Sequence, residues 1–279
     1  MTGKELKIGI IGAGKAGTAL AVSLSQAGYT VTAVASRSPA SAYKLADRLP
    51  SAIAFDRPQG VVNASDLTFF TTPDSAIEQV AAAIEVSSGK MICHVSAATP
   101  VDVLDPLRDQ GANVGVFHPL QAIGSIGDAT ILPGITFAIE AEEPLKGSLK
   151  EMASRLRCRC VELSGADRVL YHASAVMASN YLVTLIGLAA GLWQGFETQD
   201  RAIRALLPLI RGTIDNIENI GIPDCLTGPI SRGDTITIKR HLAALVESAP
   251  QALDTYRLLG LETLPLAIAK GKVSSPSKR

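Results

Sequence analysis

The chain has 279 residues, 47% of them hydrophobic and 19% charged, with 24 glycines and 15 prolines. That balance is globular and excludes disordered or collagen-like chains. Its 26 basic residues offset 26 acidic ones, so no overall positive field exists to hold nucleic acid or an anionic membrane.

In chain order, short apolar strands alternate with helical stretches. Strands are predicted at Leu6 to Gly12, Thr30 to Ala35, Leu67 to Thr72, Lys90 to Val95 and Asn113 to Phe117. Two more, Ile135 to Glu140 and Cys158 to Leu163, flank a helix from Glu142 to Arg157. The strands are nearly continuous in hydrophobics, the pattern of a parallel sheet covered on both faces by crossover helices. Beyond Gly165 the pattern turns helical, over Asp167 to Phe196, Thr198 to Ile220, Asp234 to Glu247 and Pro250 to Leu261. The fold class is therefore α/β, with a doubly wound parallel sheet followed by an all-helical domain. The predicted domains are 1–164, 165–269 and a flexible tail over 270–279.

Ala175 to Trp193 carries no charge and is long enough to cross a hydrocarbon layer. It contains Ser179, Asn180 and Thr184, lacks flanking basic clusters, and runs on into amphipathic helix, so a buried helix or a subunit interface is expected instead. The four cysteines, Cys93, Cys158, Cys160 and Cys225, lack framework spacing, and no signal-peptide pattern opens the sequence. A reduced, cytoplasmic protein is expected. Cys158 and Cys160 could share one strand face as a metal pair, but no His or Cys partner lies nearby, and no metal is assigned.

Gly12, Gly14 and Gly17 form a G-x-G-x-x-G pattern directly after the first strand and before a helix. In that context the glycines permit a tight turn, backbone approach to a pyrophosphate and close helix–strand packing, while the helix N-terminus offers unpaired N–H groups. Gly12, Ala13, Gly14, Lys15, Ala16 and Gly17 are the expected cofactor cradle. The second strand ends Val34-Ala-Ser-Arg-Ser38, without the acid that usually accepts from a ribose 2′-OH. Arg37, with Ser36 and Ser38, could instead receive a 2′-phosphate, which favours NADP. Thr72 and Pro73 after one strand and Ser96 after the next are candidate neighbours of the nicotinamide half, although ordinary turn residues would look the same.

Three of the four histidines fall in telling places. His118 opens a His-Pro-Leu turn, His172 begins the long helix and His241 lies in a later one. His118 and His172 are candidate proton donors. Asn180 lies about 80° around the helix and roughly 12 Å along it from His172; inside a charge-free helix its amide needs partners, either a ligand or backbone. Arg232 could fork onto a substrate carboxylate or pair with Asp234 to fix the loop, and Asp234 itself is read as a helix N-cap.

Three segments carry a family resemblance: His118-Pro-Leu-Gln121, Tyr171 to Leu182, and Leu226-Thr-Gly-Pro-Ile-Ser-Arg-Gly-Asp234. With the glycine-rich turn, they make the chain resemble Rossmann-like reductases whose C-terminal half is the domain of unknown function 2520. The wider superfamily includes ketopantoate reductases, pyrroline-5-carboxylate reductases and 6-phosphogluconate dehydrogenases. The resemblance implies a Rossmann domain, an all-helical second domain and commonly a dimer, here expected to be a homodimer, with the long helix near its interface; NADP as cofactor follows from the second strand. Hydroxyacid members carry a helix Lys four residues before an Asn. Here that position is Val176, so the acid does not transfer. The expectation is NADPH-dependent reduction of a small 2-oxo acid, with 2-dehydropantoate the leading substrate. A pyrroline-5-carboxylate type of imine reductase and a non-catalytic NADP-binding sensor are the alternatives. His172 or His118 would donate the proton, Asn180 would orient the substrate and Arg232 would neutralise its carboxylate.

Overall fold

Runs of β-branched and aromatic residues form one sheet: β1 (Lys7–Ile11), β2 (Thr30–Ala35), β3 (Ile53–Phe55), β4 (Leu67–Phe70), β5 (Met91–His94), β6 (Asn113–Pro119), β7 (Thr136–Ala141) and β8 (Arg159–Glu162). The computed structural model describes residues 6–124, 132–271 and 273. The strands lie in the order β3-β2-β1-β4-β5-β6-β7-β8. Every neighbouring pair is parallel except β6 with β7, which is antiparallel. The sheet is thus parallel-dominated as expected, and its one antiparallel pair had no signal in the sequence, because hydrophobic patterning reports which faces are covered and is blind to strand direction.

Alternation of side chains splits the core between the two sheet faces. Ile8, Ile10, Phe69, Phe117 and Phe137 face α1 (Lys15–Gln26), α2 (Pro39–Ala46) and α6 (Leu145–Arg155), which contribute Leu24, Leu45 and Leu149. Phe117 stacks on Phe137 with ring centroids 4.0 Å apart. Ile11, Phe70, Ile92 and Val114 face the opposite way, against α3 (Pro58–Ala64), α4 (Asp74–Ala82), the 3-10 turn Val101–Leu104 and α5 (Asp105–Arg108). Proline opens both α2 and α3 at the helix position where its missing N–H costs nothing.

The chain divides into two compact units at Ala178/Ser179, later than the boundary after 164 read from the sequence. Strand signal does end near Ser164, but α7 (Gly165–Ala178) remains with the sheet. Arg168 forms a buried ion pair with Glu140 of β7, and Tyr171 hydrogen-bonds His118 of β6. Those long-range polar contacts leave no mark in local sequence pattern.

The second unit consists of α8 (Asn180–Gly191), α9 (Gln199–Ile220), α10 (Gly228–Ser231), α11 (Thr235–Ser248) and α12 (Pro250–Ala269). The long helix expected over Asp167 to Phe196 is interrupted at Ser179, whose ψ is −70° at φ −116°. Nor is it buried: Met177 is 66% and Val183 70% exposed. Gly165–Gly191 is by length and composition able to cross a membrane, yet its first half carries the buried Arg168 ion pair. The final helix runs past the expected Leu261 to Ala269. Lys270 of the predicted tail is held, its Nζ donating to the Asp224 and Leu226 carbonyls at 2.6 and 2.8 Å. Of the remaining tail, residue 272 and residues 274–279 lie outside the described residues.

Candidate functional site

Because β1, β2, β4, β5 and β6 are parallel, their C-terminal ends share one edge of the sheet, where doubly wound folds present their ligand crevice. A cavity of about 590 Å³ opens there. The turn after β1 supplies Gly12, Ala13 and Gly14, the end of β2 supplies Ser36, Arg37 and Ser38, and the turn after β4 supplies Thr71, Thr72 and Pro73. Lys15, Ala16, Gly17 and Ser96 of the sequence reading do not line it.

The three glycines are needed for three different reasons. Gly12 has φ +114°, a conformation L side chains rarely adopt. A Cβ on Gly17 would lie 2.0 Å from the Gly12 carbonyl oxygen and 2.4 Å from Thr71 Oγ1. Gly17 therefore acts behind the cradle, by letting α1 seat against the turn. Thr71 locks this seat, its hydroxyl donating to the Gly12 carbonyl at 2.6 Å. A Cβ on Gly14, by contrast, would meet nothing within 4 Å, so this glycine keeps an open approach to the helix end. Gly14 is also the N-cap of α1 and makes no side-chain cap bond, leaving the first-turn N–H groups without a local side-chain acceptor.

Two further features test whether a phosphorylated dinucleotide fits. Thr72 Oγ1 is buried and has no hydrogen-bond partner among the described residues, an orphaned hydroxyl on the cavity wall that a ligand would satisfy. Arg37 is exposed and forms no ion pair among the described residues, which leaves its guanidinium available to an anion. The residues fit the group. Ser41 and Asp56 also line the cavity; they were missed because neither belongs to the glycine motif or the strand end beside it.

Further along the same edge lies a group of buried titratable side chains. His118 is within β6, not in a turn after it. Its Nδ1 is 2.8 Å from the Tyr171 hydroxyl, and the two rings meet edge to face. Burial, then the neighbouring His172 and Arg168, push the His118 pKa down to about 4, with Asp74 pulling weakly the other way. Burial pushes Tyr171 up to about 12, against the lowering influence of Arg168. Near neutral pH burial holds both members of this pair in their uncharged forms, which does not favour His118 as the imidazolium donor of the sequence reading. Tyr171 was quoted only as part of a motif. Its partnership with His118 spans 53 residues and had no local signal.

His172 is half-buried, with Nδ1 enclosed and unpartnered among the described residues. Asn180 is the first residue of α8 and exposed, not a helix-interior amide. Its side chain makes no hydrogen bond among the described residues, so the need for a buried partner disappears. Arg232 is exposed at the C-terminus of α10 and makes no ion pair with Asp234. Asp234 does cap α11, accepting from Thr237 N at 3.0 Å and Thr237 Oγ1 at 2.7 Å. Those bonds hold its carboxyl below the ordinary aspartate range.

Residues 1–119 match the model of a Rossmann-like domain, and residues 135–263 match that of the domain of unknown function DUF2520. A crystal structure of a candidate NADP oxidoreductase from Bacteroides fragilis is 26% identical, covers 94% of this chain and 98% of its own, and has a TM-score of 0.72. A reductive aminase from Aspergillus terreus, in complex with NADPH and ethyl levulinate, is 20% identical over 96% of this chain and 95% of its own, with a TM-score of 0.66. A 1-pyrroline-5-carboxylate reductase from Streptococcus pyogenes is 15% identical over 95% and 98%, with a TM-score of 0.63. The latter two likenesses are of fold. Among curated proteins none matches the chain.

Proposed function

We propose that this chain, which belongs to the Rossmann-like proteins carrying a DUF2520 domain, is an NADPH-dependent reductase of a small compound with a C=N bond. One observation carries the reading: a cavity lined by the glycine turn, Arg37 and Thr72 and the hydrogen-bonded His118–Tyr171 pair lie on the same edge of one sheet. NADPH, when bound, supplies the hydride. The backbone around Gly14 and the orphaned Thr72 hydroxyl hold the diphosphate half, and Arg37 with Ser36 and Ser38 holds the 2′-phosphate.

The charge state of the pair favours C=N over C=O. Hydride addition to a ketone needs a proton at the developing alkoxide, which a Tyr171 hydroxyl with its pKa raised to about 12 delivers less readily than an imidazolium would. An iminium arrives already protonated and needs orientation, hydrogen-bond acceptors and exclusion of water more than an acid. The names of the reductive aminase and the pyrroline-5-carboxylate reductase agree with that preference.

NADPH consumption with pyrroline-5-carboxylate, other cyclic imines and 2-dehydropantoate tests the reading. Turnover of an imine, with 2-dehydropantoate inert, supports it. Turnover of 2-dehydropantoate, with Tyr171→Phe lowering kcat about 100-fold, would move the assignment to the 2-oxo acid reading, with Tyr171 as donor. Tight NADPH binding without turnover of any substrate would leave the sensor reading. Arg37→Ala should raise the NADPH Kd by about tenfold and leave NADH unchanged, since one charge-assisted contact to the 2′-phosphate is worth roughly 1.5–3 kcal/mol.

The active form is proposed to be a cytoplasmic homodimer. Tyr181 and Val183 on α8 and Leu209, Ile214, Ile217 and Ile220 on α9 are all exposed, a concentration of apolar surface that a second copy would cover.

A further inference from the structure

The sheet order fixes how an extended dinucleotide runs. The 2′-phosphate residues stand at β2, the glycine turn at β1 and Thr72 at β4. The next strand along is β5, with Phe70 of β4 in register with His94, and beyond it comes His118 on β6. On that strand order a nicotinamide half would be presented over the loop that follows β5, Val95 to Pro100.

That loop is tied by one side chain. His94, the last residue of β5, is 0% exposed. Its Nδ1 accepts from the Ser96 backbone N–H at 3.2 Å, and its Nε2 lies 3.3 Å from the Pro100 carbonyl oxygen. A carbonyl can only accept, so Nε2 carries the proton and Nδ1 is the free acceptor that Ser96 requires. One tautomer of the neutral ring thus staples the first and last parts of the loop together. Within the staple Ser96 Oγ accepts from Thr99 N at 3.0 Å, leaving Ala98 as the exposed crest.

We propose that His94 is a positioning residue for the reduction, holding the Val95 to Pro100 backbone as the platform against which the nicotinamide and substrate are oriented. The inference rests on the reductase reading above. Burial and Arg168 hold the imidazole down to about 4, while the Pro100 carbonyl and Asp74 oppose them and His118 adds a small further lowering. The ring therefore stays in its stapling form throughout the neutral range.

Three variants separate this role from packing alone. His94→Phe keeps the apolar volume and removes both bonds; His94→Asn can replace the Nδ1 acceptor, and His94→Gln can replace the Nε2 donor. Each is titrated with NADPH while nicotinamide fluorescence is recorded, and kcat and KM are measured on the best imine substrate. For His94→Phe the expectation is an NADPH Kd within about threefold of the unaltered protein, because the adenosine and diphosphate contacts lie elsewhere. Its nicotinamide emission enhancement should be largely lost and kcat should fall at least about tenfold, with partial recovery in His94→Asn. Unchanged emission and kcat in a folded His94→Phe would overturn the proposal. Should that variant not fold, unchanged values in both His94→Asn and His94→Gln would do the same. If the unaltered protein binds no NADPH, the reductase reading itself fails and this role falls with it. If it binds NADPH but turns over nothing, the fluorescence comparison alone decides.

Discussion

The two units of this chain are stabilised in opposite ways. In the sheet-bearing unit, Phe69, Phe70, Phe117, Phe137 and several Ile and Leu side chains are fully buried on two faces. In the helical unit, Leu245 is the only large apolar side chain buried among the described residues, accompanied by small residues such as Ala190, Ala202, Ala252 and Ala267. A helix pair that encloses alanines and leaves its leucines and isoleucines outside has not finished burying its hydrophobic surface. The first unit contains its own core, whereas the second leaves large apolar side chains exposed, the surface that the proposed second copy would cover.

The largest expected effect breaks that contrast directly. Ile214→Asp with Ile217→Asp places charge on the exposed face of α9, and should convert a dimer to monomer in sedimentation while making the helical unit protease-sensitive. A wild-type monomer whose helical unit resists proteolysis would show that the apolar face needs no cover. Next comes Gly17→Ala in the sheet-bearing unit, where the added Cβ would sit 2.0 Å from the Gly12 oxygen. Relief requires α1 to move off the turn, at a cost of about 1–3 kcal/mol. The Tm should drop, and NADPH affinity should fall by more than tenfold in calorimetry. Gly14→Ala, with open space at that position, should retain the Tm while weakening binding.

Acid should then act on the sheet-bearing unit selectively. His94 and His118 stay neutral down to about 4 in the fold but protonate near 6.5 in the unfolded chain, so the unfolded state binds more protons between those values. Their stabilisation is complete above about pH 6.5 and is lost as pH falls toward 4. It amounts to at most roughly 3 kcal/mol for His94 and less for the partly solvated His118. Hydrogen exchange at pH 7 and pH 5 should show accelerated opening in β5 and β6 before any in α11 or α12. Equal acceleration in both units would remove the two histidines as the cause.

Strands, the glycine turn and the place of Arg37 on the cavity wall were legible in the sequence because each rests on local pattern: continuous apolar runs, spaced glycines, a missing acid at a strand end. β3 escaped because it has three residues and its Ile53 is exposed, too little for a periodicity to register. The break at Ser179 escaped because apolar residues continue across it, and hydropathy does not register a change of backbone angle. The edge carrying the candidate site was legible only in part. His118 and His172 could be nominated, but the charge state of His118 depends on burial and on His172 and Arg168, which arrive from α7 through tertiary contact. Asn180 failed as a buried amide for the complementary reason: its assumed burial came from apolar neighbours that the fold leaves outside.

The smallest effect lies in the helical unit and sharpens the contrast from its other side. Asp234 caps α11 through both the backbone N–H and the hydroxyl of Thr237, and Asp234→Ala removes both contacts, for a loss of about 1 kcal/mol. In a unit with its own full core such a loss would merely lower the global Tm by a few degrees. Here α11 contributes Leu245, the one large apolar side chain of its unit that is buried among the described residues, so local fraying should propagate. The variant should show faster hydrogen exchange across α11 and α12 at a concentration where the dimer is partly dissociated, and little change at high concentration. An effect independent of protein concentration would mean that the helical unit stands on its own core after all.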